Sequence, residues 1–264
     1  MTPGLEDSLP LEPTTPAESF SALLRSRGVE PRWDGGTGAI AFDPPEATTV
    51  IALRYADGIV VAGDRRATSG NIIAHRRVEK VFPADSFSAV AISGVAGIAV
   101  ELTRLFQTEL EHYEKIEGRR LSLEGKANHL ASMVRRQLPM AMQGLVVIPL
   151  FAGYDVDEDQ GRLYSFDVVG GRYEETDYTA TGSGGRDARL YLRTVFRDDL
   201  SEAEALDIAV AALVAAAEED TVTGGPDLKR GIYPNVVMID RDGYREVEED
   251  LVGTAARAAM EATS

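Results

Sequence analysis

The order of strand-like and helix-like segments constrains the fold of this chain more than any other feature of its sequence. Two groups of strand patterns alternate with two pairs of amphipathic helical patterns, and a last pair of strands follows. In chain order the segments are strands at 49–62 and 72–92 (interrupted near Pro83), helices at 96–116 and 121–142, strands at 145–154, 163–168 and 172–179, helices at 186–196 and 201–219, and strands at 235–240 and 244–247. Grouped rather than alternating elements indicate antiparallel sheets covered by helices. The sequence therefore predicts an α+β fold, a four-layer αββα sandwich.

Residues 1–47 have a different composition from the rest of the chain. They contain seven of its 12 prolines, and their acidic residues outnumber the basic ones, which favours extended chain. One short amphipathic helix is predicted after Thr15, where a capping-box spacing precedes Phe20 and Leu24. At the other end of the chain, we expect a flexible tail from about residue 251.

Composition excludes several classes of function. The chain has no cysteine, and its net charge of −16 disfavours binding to nucleic acid. No apolar run is long enough to span a membrane, and the N-terminus lacks the apolar segment of a secretory signal. The three histidines are scattered, so neither a zinc centre nor any other metal or cofactor is expected. These features are typical of a cytoplasmic protein.

The hairpin at 49–62 brings charged residues to a pair of threonines. With its turn centred near Asp57, position i pairs roughly with 114 − i, which places Asp64 beside Val50 and Arg66 beside Thr48. Such a segment alone is typical of a solvated turn. Lys80, however, shares a strand face with apolar neighbours in "RVEKVF", so it requires a carboxylate partner if that face is buried, and Asp64 is the candidate.

A hydrolase with this composition has few possible nucleophiles. The segment "TGSGG" does not match the serine elbow G-x-S-x-G, because Thr181 occupies the first glycine position. A threonine hydroxyl is weakly nucleophilic unless a base lies beside it. Cleavage between Ala47 and Thr48 would create that base, the new α-amine of Thr48. Residues 1–47 are then interpreted as a propeptide and residues 48–264 as the catalytic domain.

Motifs along the chain carry a family resemblance. The segments "TTVIALRYADGIVVAGDRRATSGN", "VEKVF", "ISGVAGIA", "TGSGG" and "EEDTVTGGPD" closely resemble 20S proteasome β-subunits. The actinobacterial type is most similar, through "LFQTELEHYEKIEG", "GKANHLASMV", "FDVVGGRYEE" and "GGPDLKRGIYP". The resemblance covers residues 48–250, in family order and spacing. It implies an N-terminal nucleophile hydrolase fold and a threonine endopeptidase that degrades unfolded polypeptides and activates itself by cleavage.

The resemblance also implies roles for individual residues. Thr48 matches the nucleophile, Asp64 and Lys80 its charged partners, and Gly94 the residue whose N–H binds the oxyanion. The residues that match the network around the amine are Ser183, Asp220 and Thr223. The residues that match the substrate pocket are Ala67, Thr68, Val78, Ile92, Ala96 and Val100. The implied partners are α-subunits and further β-subunits in stacked seven-membered rings, a ring-shaped ATPase unfoldase and protein substrates carrying a ubiquitin-like tag.

Departures from the family pattern leave alternatives open. Ala47 stands where glycine usually precedes the cut, and its methyl group restricts φ, so self-processing could be slow or depend on assembly. A subunit that is never processed and only builds the ring is therefore one alternative. A small-molecule amidase with the same chemistry is another. Thr49 is a rival nucleophile, although the spacing to Asp64 and Lys80 favours Thr48.

Overall fold

The computed structural model describes residues 48–69 and 72–263, and all structural statements concern these ranges. Twelve strands and six helices lie within them. The strands are β1 (Thr49–Tyr55), β2 (Gly58–Gly63), β3 (Ala67–Ser69), β4 (Ile72–His75), β5 (Val81–Asp85), β6 (Ser88–Gly94), β7 (Val147–Asp155), β8 (Gln160–Phe166), β9 (Arg172–Glu175), β10 (Tyr178–Gly182), β11 (Asn235–Asp240) and β12 (Gly243–Glu246). The helices are α1 (Ala96–Glu117), α2 (Leu123–Arg136), α3 (Leu138–Ala141), α4 (Gly185–Val195), α5 (Glu202–Glu219) and α6 (Glu249–Thr263).

Two five-stranded antiparallel sheets form the middle of the domain. The first has the strand order β10-β1-β2-β11-β12, and the second has the order β5-β6-β7-β8-β9. Strands β3 and β4 form a separate two-stranded ribbon. The predicted α+β fold with antiparallel sheets flanked by helices is confirmed.

Strand β1 shows how the alternation of side chains builds the layers. Val50 and Ala52 lie in the apolar core between the two sheets, whereas Ile51 and Leu53 lie in the core shared with helices α4, α5 and α6. Successive side chains of a strand point to opposite faces, so a strand buried on both faces reads as a continuous apolar run. Helices α1 and α2 cover the outer face of the second sheet, with Phe106 among the fully buried residues there.

The register of the first hairpin differs from the prediction by one residue. Val50 pairs with Gly63, and Asp64 donates its backbone N–H to the carbonyl oxygen of Thr49. The turn is a two-residue loop, Ala56 and Asp57, so its centre lies between these residues rather than at Asp57. Asp64 is therefore placed beside Thr49, not beside Val50.

Three predicted segments are divided differently in the structure. Pro83 lies inside β5, an edge strand, where its missing N–H is tolerated. The predicted helix at 121–142 breaks at Gln137, because a continuous helix would place the ring of Pro139 against the preceding turn. The predicted strand at 172–179 is two strands, β9 and β10, which belong to different sheets.

The expectation of a flexible tail from about residue 251 is wrong. Residues 249–263 form helix α6, whose Val252, Ala255 and Ala256 are buried against the core of the first sheet and its helices. These small apolar residues follow helical spacing, and alanine has the highest intrinsic helix propensity. The spacing of these apolar residues thus indicates a helix, although the polar residues between them make the pattern less clear.

Two further findings concern residues 1–47 and the possibility of a membrane-spanning helix. The helix predicted after Thr15 and the whole segment 1–47 lie outside the described residues. Within the described ranges, no helix combines the length and apolar character needed to cross a lipid bilayer.

Candidate active site

Thr48 and Thr49 are both buried, but their side chains lie on opposite faces of the first sheet. Thr48 precedes β1 and lies on the side of Val50, facing the space between the sheets, where it lines a pocket. Thr49 lies on the helix side, where its Oγ1 accepts the N–H of Gly184 at 2.9 Å and lies 2.6 Å from Oγ1 of Thr223. The period of two in a strand therefore separates the two candidate nucleophiles into different environments.

Asp64 and Lys80 form a buried ion pair beside these threonines. Asp64 follows β2 and Lys80 precedes β5, and the lysine Nζ lies 2.6 Å from Oδ1 of Asp64, with both side chains at most 4% exposed. The same ammonium donates to the backbone carbonyl of Arg66 at 2.5 Å. Burial lowers the pKa of Lys80, while the charge of Asp64 opposes this change. The predicted pairing of Lys80 with Asp64 is confirmed.

Backbone groups also hold the Asp64 carboxylate. Oδ1 accepts the N–H of Thr49 at 2.8 Å, and Oδ2 accepts the N–H groups of Arg66 and Gly224, each at 2.9 Å. Hydrogen bonds of this kind satisfy the lone pairs that a buried carboxylate exposes. The guanidinium of Arg66 donates to the carbonyl oxygens of Thr221 and Thr223, and so fixes the segment after α5 to the same place.

Ser183, Asp220 and Thr223 form a second polar cluster next to the threonine pair. The hydroxyl of Thr223 donates to Oδ2 of Asp220 at 2.6 Å, and the backbone N–H of Ser183 donates to the carbonyl oxygen of Thr48 at 3.1 Å. Burial alone would raise the pKa of Asp220, but hydrogen bonds from Ser183, Thr223 and the N–H of Val222 lower it. The carboxylate is therefore ionised at neutral pH.

A pocket opens at Thr48 and contains five of the six predicted substrate-binding residues. Its lining residues are Thr48, Ala67, Val78, Glu79, Lys80, Phe82, Ile92, Gly94, Ala96, Ala99 and Val100. Thr68, the sixth predicted residue, is buried on β3 outside this lining. Apart from Lys80 and the exposed Glu79, the wall is uncharged, so it favours an apolar side chain.

Gly94 is the last residue of β6 and lines this pocket. Its φ is +111°, and a Cβ atom there would lie 2.1 Å from the carbonyl oxygen of Val146. Only glycine fits this position. The strand therefore ends in a sharp turn into α1, and Gly94, Ala96 and Val100 line the same pocket as Thr48.

Several residues of the site were not predicted from the sequence. Phe82 is an apolar neighbour of Lys80 in "RVEKVF", but neither that segment nor the resemblance indicates that it lines the pocket. Ala99 lies one helical turn after Ala96, a spacing that could have indicated it. Gly184 and Arg66 act through the backbone or reach distant carbonyl groups, and no local pattern reveals such contacts. In the described part of the chain, no group of three or more histidine or carboxylate side chains is arranged to hold a metal ion.

Comparisons with known proteins agree with this architecture. The family model described as "Proteasome subunit" matches residues 45–227. Proteins named proteasome subunit beta are similar over most of their length. The one from Acidimicrobium ferrooxidans is 57% identical over 89% of this chain and 86% of its own. Those from Streptomyces griseus and Acidothermus cellulolyticus are 53% identical (84% of this chain, 79% of theirs) and 56% identical (79% and 73%).

The chain therefore belongs to the proteasome subunit family. Its similarity to three actinobacterial β-subunits places it with the β-type members of that family.

Proposed function

We propose that this chain is the catalytic β-subunit of a bacterial 20S proteasome, an endopeptidase whose nucleophile is Thr48 once residues 1–47 have been removed. One observation supports this proposal most strongly: Thr48, Lys80 and Gly94 line one pocket with an apolar wall, while Thr49 lies on the other face of the sheet. A nucleophile, a cation and an oxyanion donor are thus combined with a space for a substrate side chain.

The α-amine of Thr48 acts as the general base. Cleavage between Ala47 and Thr48 creates this amine, whose reference pKa of about 7.7–8.0 leaves a useful neutral fraction at physiological pH. The amine, directly or through a water molecule, takes the proton of the Thr48 hydroxyl as Oγ1 attacks the peptide carbonyl carbon. The positive charge of Lys80 disfavours protonation of the amine and stabilises the alkoxide that develops on Oγ1.

The reaction then follows acyl transfer. The N–H of Gly94 donates to the oxyanion of the tetrahedral intermediate. The protonated amine returns its proton to the leaving amino group, and an ester between substrate and Thr48 remains. Water, deprotonated by the same amine, attacks that ester and releases the second product. Ser183, Asp220 and Thr223 keep the surroundings of the amine polar and ordered.

Family membership supports a proposal for the substrate and the partners. We assign unfolded polypeptide as the substrate, with cleavage after apolar residues. The chain assembles with other proteasome subunits, in stacked seven-membered rings with α-subunits. An ATPase unfoldase delivers tagged proteins to this assembly in the cytoplasm. The purely scaffolding alternative is disfavoured by the buried Asp64–Lys80 pair, which a ring-building subunit has no need to place beside a threonine.

Substitution of Thr48 tests this proposal. Particles formed with α-subunits and Thr48→Ala should assemble, retain residues 1–47 in an intact mass measurement and hydrolyse no peptide. Thr48→Ser should retain partial activity because a hydroxyl remains, and Thr49→Ser serves as the matched control. Normal hydrolysis by Thr48→Ala would refute the assignment. Casein and a dipeptide amide assayed in parallel separate a protease from a small-molecule amidase.

A further inference from the structure

The hydroxyl of Thr49, to which the proposed mechanism gives no role, belongs to a hydrogen-bond chain with Thr223 and Asp220. Thr49 is fully buried, and its Oγ1 accepts the N–H of Gly184 at 2.9 Å. The same atom lies 2.6 Å from Oγ1 of Thr223, which donates to the carboxylate of Asp220 at 2.6 Å. A short path therefore links the residue after the nucleophile to a half-buried carboxylate.

The direction of each hydrogen bond in this chain is determined. An ionised carboxylate can only accept, so the Thr223 hydroxyl donates its single proton to Asp220. Oγ1 of Thr223 must then accept from Thr49, whose own proton points towards Thr223. One of the two lone pairs on Oγ1 of Thr49 accepts from the N–H of Gly184. The chain runs from Gly184 through Thr49 and Thr223 to Asp220, with every proton assigned, and such ordered chains strengthen one another.

The backbone of the same residue is bound to the other charged group of the site. The N–H of Thr49 donates to Oδ1 of Asp64 at 2.8 Å, and its carbonyl oxygen accepts the N–H of Asp64 at 3.1 Å. Oδ1 of Asp64 is also the atom that binds Lys80. Thr49 thus contacts the Asp64–Lys80 pair through its backbone and reaches Asp220 through its hydroxyl and Thr223.

We propose that Thr49 is a positioning residue for the neighbouring nucleophile: its hydroxyl, held between Gly184 and Thr223, fixes the backbone that carries the Thr48 side chain and α-amine. This inference rests on the proposed function of Thr48. Reacting atoms must be held within a fraction of an ångström, and a displacement of 1 Å can reduce the rate about 10²-fold. The hydroxyl acts only through position, because it faces away from the pocket.

The test is a pair of substitutions in assembled particles. Thr49→Val keeps nearly the same shape and removes the hydroxyl, whereas Thr49→Ser keeps the hydroxyl. To separate catalysis from self-processing, each variant is also produced behind a fusion that a specific protease removes directly before Thr48. We expect Thr49→Val to lower kcat for a fluorogenic peptide by up to about 10²-fold with little change in KM. Thr49→Ser should restore most of the activity.

Two further variants make the result specific. Ser88→Ala removes another buried hydroxyl that donates to a carboxylate, that of Asp85 at 2.7 Å. Ser88 lies at the end of β6 remote from Gly94, so kcat should stay at the wild-type value. Gly184→Ala tests the same chain from the other side, because its Cβ would lie 2.7 Å from Oγ1 of both Thr49 and Thr223. We expect it to reduce kcat as Thr49→Val does.

The outcomes separate this inference from the proposed function. Wild-type kcat in Thr49→Val, a change in KM alone, or equal loss in Thr49→Ser and Thr49→Val would overturn the positioning role and leave Thr48 as nucleophile. If Thr49→Val does not assemble, unchanged kcat in Gly184→Ala overturns it equally. Activity in Thr48→Ala would instead overturn the proposed function itself.

Discussion

Replacing Lys80 with alanine is the most informative perturbation of the charged pair. The substitution leaves the carboxylate of Asp64, which is fully buried, without its cation. At a Nζ–Oδ1 distance of 2.6 Å, the attraction lost is about 6 kcal/mol for an effective dielectric constant of about 20. Burial lowers the pKa of Lys80, so desolvation of the ammonium already offsets part of this attraction.

The free energy lost on replacing Lys80 is smaller than this attraction for a second reason. Thr49, Arg66 and Gly224 still donate backbone N–H groups to Asp64. Breaking a buried pair costs about 3–5 kcal/mol, and these donors favour the lower end of that range. This cost lowers the stability of the fold. Removal of the Lys80 charge also removes stabilisation of the developing alkoxide, which is a separate quantity, and a loss of about 3 kcal/mol in it would correspond to a decrease in kcat of about 10²-fold.

A second buried lysine provides the matched control. Lys126 lies 2.5 Å from Asp85, and its side chain is 7% exposed. Lys126 is on α2 and Asp85 ends β5, and neither residue lines the Thr48 pocket. Lys126→Ala should lower the thermal stability of the particle about as much as Lys80→Ala and leave peptide hydrolysis unchanged. Near-normal hydrolysis by Lys80→Ala, or equal losses of kcat in the two variants, would refute the reasoning.

Three further predictions concern specificity, maturation and pH. Fluorogenic peptides should be cleaved after Leu, Phe or Tyr, because a charged side chain would be desolvated against the apolar wall; preferred cleavage after Arg or Glu would contradict this. Trp33 is the only tryptophan in the chain, so processing should remove tryptophan fluorescence from this subunit, and an active subunit that retains it would contradict cleavage before Thr48. Burial alone would raise the pKa of Asp85, but Lys126 and neighbouring hydrogen-bond donors lower it below 3.8. The ionised carboxylate therefore stabilises the folded state above that pH, and this contribution to the free energy of unfolding is lost as the pH falls below it. Thermal unfolding of the double variant Asp85→Asn, Lys126→Met should depend less on pH in this range, and an unchanged dependence would contradict the assignment.

The sequence predicted those parts of the fold in which local pattern and tertiary context agree. The helix pairs and the first hairpin follow simple periodicities, and a lysine on an apolar strand face required a carboxylate, which is Asp64. The register of the hairpin was wrong by one residue because turn length, not strand composition, determines it. Strand propensity could not show that residues 172–179 form two strands in different sheets, because both halves of the segment are equally strand-like.

The candidate site was predicted to the extent that its chemistry is carried by charged or nucleophilic side chains. The positions of Thr48, Lys80 and the pocket residues followed from motifs. The function of Thr49 as a connection between two polar clusters could not, because it depends on Gly184 and Thr223, which lie more than a hundred residues away in the chain. Contacts of this separation arise only when the sheet and its helices are assembled.

The place of β1 within its sheet has a consequence for activation. Chain termini are usually frayed, yet β1 is paired along its length with β10 on one side and β2 on the other. A cut before Thr48 would therefore create an N-terminus next to a strand that is already hydrogen-bonded to a neighbouring strand on each side. Activation by proteolysis would then need no rearrangement of the domain: one peptide bond is lost, an amine forms on Thr48 and a carboxylate on Ala47, and the geometry around Thr48 is inherited from the precursor.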